Sequence, residues 1–378
     1  MSKSGEMKAS FLFVLLVVIG MIGCGGDAPE GKTTAAATSP GGVLILLLGD
    51  VGAGDDAALS AQETFGGPSS VIFERHYTAS TKTAGALLSI LSGYPASALD
   101  AGETEEGLRP TLSELFARMD YYTFGVVGGD PSLLGSGIER GIDDYRFDAT
   151  ASNDELIAAV LEAIGRAPGE YLGLVSLANA DPAAVAKFAT AMRGIGGFEN
   201  TLFVVTADHG PDEGAGDSFH ERLRENVTHV PLVVRFPADG RPETLAPRTT
   251  SLTSGLDILP SLVALTGRDI SGALPGSNIL DGFFSGHALV ESGDAWAFLQ
   301  DNYKLIVSGE KALVFDLAAD PEEQDDLAAE MGDRSRALLT GAIQTRAAMI
   351  SGLSGDVEGE EGVDPETLEH LRSLGYVQ

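Results

Sequence analysis

The chain has 378 residues, of which 44% are hydrophobic, 7% aromatic and 21% charged. This composition supports one large globular core or two domains. The chain carries 55 acidic and 24 basic residues, a formal net charge of −31. This charge argues against nucleic-acid binding, because it repels a phosphate backbone. The single cysteine excludes an intrachain disulfide framework and a Cys-rich zinc site.

The N-terminal segment has the pattern of an export signal. Lys3 and Lys8 precede an apolar run over 11–22 that is short for a bilayer span. The run ends in Met-Ile-Gly-Cys24, which is similar to a bacterial lipobox, where a diacylglycerol is attached to the cysteine thiol. A plain secretory signal with an unmodified cysteine is the alternative. The pattern favours lipidation, because the cysteine falls where small residues end the apolar run.

These features define the predicted organisation of the N-terminal region. We predict a lipoprotein signal peptide over 1–23 and export to the bacterial cell envelope, where Cys24 carries the lipid that holds the protein on a membrane. Residues 24–42 are rich in Gly, Ala and Thr without apolar periodicity, so we expect a flexible tether there. The folded domain then begins at residue 43.

Short apolar runs alternate with helical patterns in the next part of the chain. This alternation predicts a doubly wound α/β fold, with a mostly parallel sheet between helices, over 43–294. The predicted strands are 43–48, 124–127, 171–177, 201–206 and 230–236, and the predicted helices are 84–91, 112–119, 154–166, 183–192 and 256–265.

The character of the sequence changes in its last third. Residues 295–300, 303–307 and 312–317 alternate like short antiparallel strands, and 325–350 has a helical pattern. We predict a small C-terminal α+β subdomain over 295–350, followed by an acidic spacer and a terminal helix over 351–378.

Polar residues follow two of the predicted strands. Asp50 comes after the first strand, and Asp208 and His209 come after the fourth. Ligands of parallel sheets gather at the carboxyl ends of the strands. This pattern therefore predicts a functional site at that edge.

Taken in order, several segments resemble the sulfatase family within the alkaline-phosphatase superfamily. The matching segments are VLILLLGD, VIFERHYTAS, LLSILSGYP, RPTLSELFARMDYYTFGVVGG, GIDDY, TLFVVTADHG, NVTHVPLVVRFP, LDILPSLVALTG, NYKLIVSGEKALVFDLAADPEEQDDL and VDPETLEHLRSLGYVQ. They cover about nine-tenths of the chain that follows the signal. The resemblance implies the superfamily fold and an ancestral activity on sulfuric or phosphoric esters.

The resemblance also implies a divalent cation, which family members hold with two adjacent aspartates and a later Asp-Asn or Asp-His pair. Here the first pair is Gly49-Asp50, so one carboxylate is missing, whereas the later pair is intact as Asp208-His209. The candidate metal ligands are Asp50, Asp208 and His209, for Ca²⁺ or, because of the histidine, Zn²⁺. The alternative is that Asp50 caps a turn and that the later pair is a structural relic.

The position of the nucleophile departs further from the family. Sulfatases oxidise a cysteine, or less often a serine, in a Cys-x-Pro-Ser-Arg motif to formylglycine. The matching positions here are Thr83, Gly85 and Leu87. Threonine cannot form this aldehyde, because its extra methyl group blocks the oxidation, so we expect no formylglycine. Ser80 is a conceivable substitute, but the Pro and Arg that should follow it are absent.

Thr83 has two interpretations. It either caps or opens the helix over 84–91, a frequent role of threonine, or acts as a direct nucleophile, as in metal-dependent relatives of the superfamily. The adjacent Lys82 either binds an anion or is a solvated lysine.

Two further positions complete the candidate site. Family members place a leaving-group acid in an Asp-Pro-His segment, where this chain has Ala183. His220 lies near the position of a family site histidine or lysine and either orients a sulfate or phosphate or is a solvated loop residue. His76 and His229 lie in strand-like runs, which favours packing roles.

Three functional hypotheses follow. The favoured one is a membrane-anchored sulfatase-family lipoprotein that has lost hydrolysis, a pseudoenzyme that survives as a binding or assembly component. Its expected ligand is a sulfated or phosphorylated small molecule or glycan. The second is a divergent metal-dependent sulfuric or phosphoric ester hydrolase with Thr83 as nucleophile and an extra ligand from Asp55, Asp56 or His220. The third is a passive surface or adhesive lipoprotein.

Overall fold

The structure is a computed structural model, and it describes residues 41–99, 110–178, 180–211, 218–238, 240–267 and 274–351. The predicted signal peptide, Cys24 and the predicted terminal helix lie outside the described residues, as does the tether except for its last two residues. Across the described ranges, none of the helices is both long enough and apolar enough to cross a bilayer.

An eight-stranded sheet forms the centre of the molecule. Its strands are β1 (Gly42–Leu48), β2 (Ser70–Tyr77), β3 (Tyr122–Gly128), β4 (Asp144–Asp148), β5 (Tyr171–Leu177), β6 (Thr201–Ala207), β7 (Leu232–Arg235) and β8 (Arg248–Ser254). Their spatial order is β4-β3-β5-β1-β6-β7-β2-β8. All neighbouring strands are parallel except at β7, which is antiparallel to both β6 and β2. The predicted mostly parallel sheet is therefore confirmed.

Helices cover both faces of this sheet. They are α1 (Asp56–Phe65), α2 (Thr83–Ser92), α3 (Ala96–Leu99), α4 (Leu112–Ala117), α5 (Asn153–Arg166), α6 (Pro182–Gly194), α7 (Phe219–Arg222), α8 (Glu225–Thr228) and α9 (Ile258–Ala264). β1 is buried along its whole length, and its side chains alternate between two cores, as the pleat of a strand dictates. Leu44 and Leu46 pack with α1, α5 and α6, whereas Val43 and Ile45 pack with α2, α4 and α9.

A second, antiparallel sheet follows in the chain. It consists of β9 (His287–Ser292), β10 (Ala295–Gln300), β11 (Tyr303–Ser308) and β12 (Lys311–Asp316) in the order β12-β11-β10-β9. Two helices follow it, α10 (Ala328–Met331) and α11 (Asp333–Ser351). They are separated by Gly332, whose positive φ of 53° breaks the single predicted helix. Trp296 and Phe298 pack against Leu339 and Ala342 of α11, so a small sheet and a helix share this core.

Some elements differ from the sequence-based prediction. β2, β4 and β8 were not predicted as strands. β4 and β8 are the polar edges of the main sheet and lack an apolar run. In β2 the apolar run is interrupted by Glu74 and Arg75. β9 pairs with β10 in the small sheet, so this sheet begins before residue 295, the predicted start of the subdomain. Tight hairpin turns between the strands of the small sheet agree with the prediction.

Candidate active site

The sheet register places the candidate residues together at its carboxyl edge. β1 and β6 are parallel neighbours, and Leu48 is paired with Ala207 at their ends. Asp50 and Asp208, which follow these strands, therefore come to the same place. α2 begins beside them, so its first residue, Thr83, completes the cluster.

Asp208 is the centre of this cluster. The residue is 4% exposed. Its Oδ1 accepts the backbone N–H of His209 at 2.9 Å and that of Asp50 at 3.2 Å. Its Oδ2 accepts the Thr83 hydroxyl at 2.7 Å. Both carboxylate oxygens are thus bonded to donors of the protein itself, which satisfies a buried carboxylate.

The hydrogen bonds of His209 determine its tautomer. Nδ1 lies 2.9 Å from the carbonyl oxygen of Gly210. A carbonyl only accepts, so Nδ1 carries the proton and Nε2 presents a lone pair in the neutral ring. That Nε2 lies 3.3 Å from the Thr83 hydroxyl oxygen. The Asp50 carboxylate is 3.6 Å from Nδ1, so it also faces the protonated side of the ring.

Thr83 is not a helix cap. It is the first residue of α2, and Lys82 occupies the N-cap position without a side-chain capping bond. The hydroxyl has one proton, and the shorter contact directs it to Asp208 rather than to His209. Thr83 thus opens α2 without capping it, and its side chain lies in contact with Asp208 and His209.

Asp50 has an unusual backbone conformation. Its φ is +58°, in the left-handed region that aspartate tolerates better than most residues. Its backbone N–H points at Asp208, and its side chain is 52% exposed. The missing partner acid is Gly49, whose N–H donates to the Leu177 carbonyl at 3.0 Å and so extends the pairing of β1 with β5.

The other positions that differ from the family lie in ordinary structural environments. Leu87, at the position of the family arginine, is 1% exposed and packs in the core beneath α2. Ala183 is exposed in the first turn of α6, a helix that the Asp181 carboxylate caps through the Ala184 N–H at 2.7 Å. Neither position supplies a charge or a transferable proton to the site.

Lys82 and the alternative metal ligands Asp55 and Asp56 lie in loops or at helix starts. The Lys82 side chain is exposed, and its backbone N–H donates to Ser80 Oγ at 3.2 Å. Ser80 is buried, and a Cβ at Gly85 would lie only 2.6 Å from its hydroxyl, so the missing side chain lets this loop pack onto α2. Asp55 accepts the Gly52 N–H at 2.7 Å, and Asp56 begins α1.

His220 lies against the small sheet. Its ring stacks on Phe315 of β12, with centroids 4.9 Å apart and an interplanar angle of 11°. Its Nε2 is buried, without a hydrogen-bond partner among the described residues. Burial lowers the pKa of His220 below the usual histidine value, so this ring is neutral at physiological pH. It occupies a packing position rather than that of an anion ligand.

His76 and His229 also have packing environments, in agreement with the sequence analysis. His76 is 1% exposed and lies 3.0 Å from the Thr253 hydroxyl through Nδ1. Burial and the nearby His229 lower its pKa to about 3. His229 stacks on Tyr77, with ring centroids 5.1 Å apart.

The cation that the family resemblance implies does not fit these residues. Calcium prefers six or more oxygen ligands, and zinc takes at least three protein ligands. Within the ranges that the structure describes, no three His, Cys, Asp or Glu side chains are grouped so as to hold a metal ion. Asp208 accepts three hydrogen bonds from protein donors, which leaves about one of the four lone-pair sites of its carboxylate. We therefore derive no chemical step through a metal.

A supporting contact, which the sequence analysis did not predict, fixes the segment that precedes Thr83. The Thr81 N–H donates to the Glu291 carbonyl at 3.0 Å, and the Glu291 N–H donates to the Ala79 carbonyl at 2.9 Å. The buried Glu291 carboxylate accepts the Ser97 hydroxyl at 2.7 Å and Arg346 Nη2 at 2.8 Å. These partners are far apart in sequence, so no spacing pattern could indicate them.

A second unpredicted cluster lies where the small sheet meets the end of β2. Lys304 is fully buried, with its Nζ 2.8 Å from Glu323, 3.2 Å from Glu225 and 2.9 Å from the Thr228 hydroxyl. Tyr77 donates to the other Glu225 oxygen at 2.6 Å. Burial alone would raise the pKa of the Glu225 carboxyl, but the charge of Lys304 contributes to a net pKa below the usual value. This cluster joins the two sheets.

Comparisons with known proteins agree with this architecture. Residues 176–268 match the family model described as Sulfatase. An uncharacterized sulfatase, YidJ, from Escherichia coli strain K12 is 33% identical over 84 residues. That match covers 22% of this chain and 16% of the length of YidJ.

Solved structures share the fold at low sequence identity. The phosphonate monoester hydrolase of Agrobacterium radiobacter superposes with a TM-score of 0.66 at 14% identity, covering 82% of this chain and 96% of that one. BT4656, in complex with its substrate D-glucosamine-2-N,6-O-disulfate, superposes with a TM-score of 0.63 at 10% identity, covering 85% and 100%. Residues 176–268 are thus similar to sulfatases, and the solved structures share the fold of the chain as a whole.

Proposed function

We propose that this protein is a lipid-anchored member of the sulfatase family in the bacterial cell envelope that has lost ester hydrolysis. In this proposal it retains the fold as a scaffold that binds a sulfated or phosphorylated small molecule or glycan. The support for such a ligand is the similarity to BT4656, whose structure contains a disulfated glucosamine substrate. Cys24 is the proposed lipid attachment site. This part of the proposal is supported by the lipobox-like sequence that ends at Cys24.

One observation carries the proposed loss of activity: the hydroxyl in the nucleophile position is bonded to Asp208, one of the two remaining acids of the candidate metal site. Thr83 donates its proton to Asp208 at 2.7 Å. An alkoxide at Thr83 would face this buried carboxylate, and like charges at that distance repel strongly in a site shielded from water. As long as Asp208 keeps its charge, the cluster therefore stabilises the neutral hydroxyl, and an alkoxide would form only if Asp208 took the proton.

The groups that normally offset this repulsion have also been replaced. The position of the family arginine is a core leucine, Leu87, and the position of the leaving-group acid is the exposed Ala183. Removing one preorganised donor from an active site typically costs about 3–4 kcal/mol of barrier. The family nucleophile, the arginine, the leaving-group acid and one metal ligand are all replaced in this chain. Together these replacements support a site that does not hydrolyse esters.

The test is turnover of 4-nitrophenyl sulfate and 4-nitrophenyl phosphate by the full chain, with and without Ca²⁺, Zn²⁺ or Mn²⁺. We expect rates equal to those of the Thr83→Ala variant under every condition. Turnover that exceeds the Thr83→Ala rate and requires a metal would overturn the proposal.

A second candidate function is supported by the contact between Thr83 and His209. The hydroxyl oxygen is 3.3 Å from the unprotonated Nε2, within the looser range of nucleophile–base pairs without substrate. In this alternative the Thr83 oxygen attacks the sulfur or phosphorus of the ester while His209 takes the hydroxyl proton. The bond from that atom to the leaving oxygen breaks, the alcohol leaves with a proton from water, and water then hydrolyses the ester formed on Thr83. Its metal-dependent form would need ligands that the described residues do not group together. A His209→Gln variant that loses turnover while keeping the fold would favour this alternative.

The anchoring part of the proposal has its own test. We expect the mature N-terminal peptide to begin at Cys24 and to carry the mass of a diacylglycerol and its additional acyl chain. The Cys24→Ala variant should lose this mass and leave the membrane fraction. An unmodified Cys24 in the purified protein would contradict the anchor.

A further inference from the structure

The turn between β2 and α2, residues 78–82, leads directly into Thr83. Within the turn, the Thr78 hydroxyl donates to the Ser80 carbonyl at 2.8 Å, and the Lys82 N–H donates to Ser80 Oγ at 3.2 Å. These bonds act inside the turn and determine its shape. The position of the turn relative to the main sheet, and with it the position of the Thr83 hydroxyl, depends on contacts with other elements.

β9 of the small sheet makes such contacts. Ser80 and Glu291 form a parallel bridge outside the regular sheets. The Thr81 N–H donates to the Glu291 carbonyl at 3.0 Å, and the Glu291 N–H donates to the Ala79 carbonyl at 2.9 Å. The Thr81 hydroxyl also donates to Ser292 Oγ at 2.7 Å. Two consecutive residues of β9 thus hold the turn just before α2 begins.

The Glu291 carboxylate attaches β9 to two further elements. Glu291 is 5% exposed, and its carboxylate accepts the Ser97 N–H of α3 at 2.9 Å and the Ser97 hydroxyl at 2.7 Å. From α11 it accepts the Arg346 Nε–H at 3.2 Å and an Nη2–H at 2.8 Å. These donors satisfy the buried carboxylate, and the charge of Arg346 compensates for its removal from water. The Arg346 guanidinium also lies 5.5 Å from the ring centre of Trp296, within cation–π range.

Glu291 therefore links the turn that precedes Thr83 to the C-terminal helix. Its backbone is bonded to the turn, and its side chain is bonded to α3 and α11. A buried ion pair is often no more stabilising than well-packed apolar residues, so stability alone does not explain an ion pair at this point of β9. The Thr83–Asp208 bond is 2.7 Å long. A displacement of Thr83 by about 0.5 Å would take this bond out of the usual O–H···O range.

We propose that Glu291 is a positioning residue of the candidate site. It fixes β9 to α3 and α11, holds the turn before α2, and so keeps the Thr83 hydroxyl within bonding distance of Asp208. The inference rests on the proposed function in one respect, because Thr83 matters to a ligand only if the candidate site binds one. In this account the site depends on the small sheet and its helix as well as on the strand ends of the main sheet.

The test measures the NMR signal of the Thr83 methyl group in the full chain with isotope-labelled threonine methyl groups. The signal is assigned by its loss in the Thr83→Ser variant. Glu291→Gln keeps the shape of the side chain but removes the charge that binds Arg346. We expect the Thr83 signal to shift by more than its line width, because the side chain moves relative to Asp208. The same signal position in the folded variant and in the parent protein would overturn the proposal.

A second variant keeps the proposal testable if Glu291→Gln does not fold. Arg346→Lys retains the positive charge but loses the two-pronged contact with the carboxylate. We expect the Thr83 signal to shift in this variant too, and an unshifted signal would overturn the proposal. Urea unfolding of the same variants separates positioning from general stability. A loss of stability with the Thr83 signal at its parent position would assign Glu291 a structural role only.

Glu114 provides the matched control, because its carboxylate also binds an arginine and a backbone N–H. It accepts Arg140 Nη2 at 3.0 Å and the Thr111 N–H at 2.8 Å, and it belongs to α4 rather than to β9. We expect Glu114→Gln to leave the Thr83 signal in place. An equal shift in the Glu114→Gln and Glu291→Gln variants would show that Thr83 responds to the loss of any acid–arginine pair, which would overturn the specific role of Glu291.

Binding of 4-nitrophenyl sulfate, followed on the same methyl signal, connects the positioning role to the ligand. We expect several-fold weaker binding by Glu291→Gln than by the parent protein, and parent-like binding by Glu114→Gln. Equal binding by the parent and Glu291→Gln would overturn the role of Glu291 at the ligand site. A parent protein that does not bind this probe would contradict the ligand of the proposed function. The position of the Thr83 signal decides the positioning role by itself, so the two failures are distinguishable.

Discussion

Two buried clusters of charged side chains, one at the candidate site and one between the sheets, are satisfied in different ways. Between the sheets, the carboxylates of Glu225 and Glu323 are neutralised by a buried lysine, Lys304. At the candidate site, the buried Asp208 is held by two backbone N–H groups and the Thr83 hydroxyl. Between the two sheets, the charge of the acids is therefore balanced by the ammonium group of Lys304. At the candidate site, the described donors to Asp208 are neutral.

This difference separates a buried ion-pair cluster, which joins the two sheets, from a buried acid that has neutral partners. A buried ion pair costs desolvation energy and persists only where geometry and further hydrogen bonds compensate for it. The Lys304 cluster has those additional bonds, from Thr228 and Tyr77. In the site cluster, Asp208 has neutral donors as its hydrogen-bond partners among the described residues.

The largest expected effect lies in the cluster between the sheets. Lys304→Met removes the ammonium group and leaves two buried carboxylates without a cation, so we expect a loss of about 3–5 kcal/mol of unfolding free energy. Urea unfolding measures this loss. Lys311, exposed on β12, provides the control, because Lys311→Met should change stability by no more than about 0.5 kcal/mol. Equal stability of the two variants would contradict the structural role of Lys304.

Another buried carboxylate, that of Asp257, sharpens the comparison, because its hydrogen-bond partners within the described ranges are backbone N–H groups. Asp257 accepts the N–H groups of Ser254 and Ser277, both at 2.7 Å. Burial raises its pKa to about 7, above the usual value near 4. Between these values the folded state keeps a proton that the unfolded chain releases. The contribution of Asp257 to stability therefore falls as the pH rises from 4 to 7 and is constant above 7.

We therefore expect Asp257→Asn to flatten the pH dependence of stability. The difference in unfolding free energy between the variant and the parent should change by about 2–4 kcal/mol between pH 4 and pH 7, in favour of the variant at the higher pH. Thermal unfolding across this range measures the difference. Parallel curves for the two proteins would show that Asp257 does not titrate in this window.

The smallest expected effect is at the candidate site. Thr83→Val keeps the shape of the side chain but removes the hydroxyl that donates to Asp208, so we expect a loss of about 1 kcal/mol. Thr190, whose hydroxyl donates to the Ala186 carbonyl on the exposed surface, is the matched control, and Thr190→Val should cost less. A stabilised Thr83→Val variant would show that the site is strained rather than satisfied.

The fold was predictable wherever buried strands produce continuous apolar runs. β1, β5 and β6 have this signal because both of their faces are covered. The polar edge strands β4 and β8 do not, since they have a neighbour on one side only.

The candidate site was predictable in part. Asp50 and Asp208 were expected together, because the ends of parallel strands meet. The sequence left the role of Thr83 open, since a threonine at a helix start is compatible with both capping and chemistry. The Glu291 and Lys304 clusters depend on tertiary contacts between distant segments, and such contacts leave no local spacing pattern.

The central claim is that the site no longer holds a catalytic cation, and metal content tests it most directly. The full chain is purified without chelator, equilibrated with Ca²⁺ and Zn²⁺, and measured by mass spectrometry beside its Asp208→Asn variant. We predict the same substoichiometric metal content in both proteins. About one tightly bound divalent ion per chain in the parent protein, lost in the Asp208→Asn variant, would contradict the account.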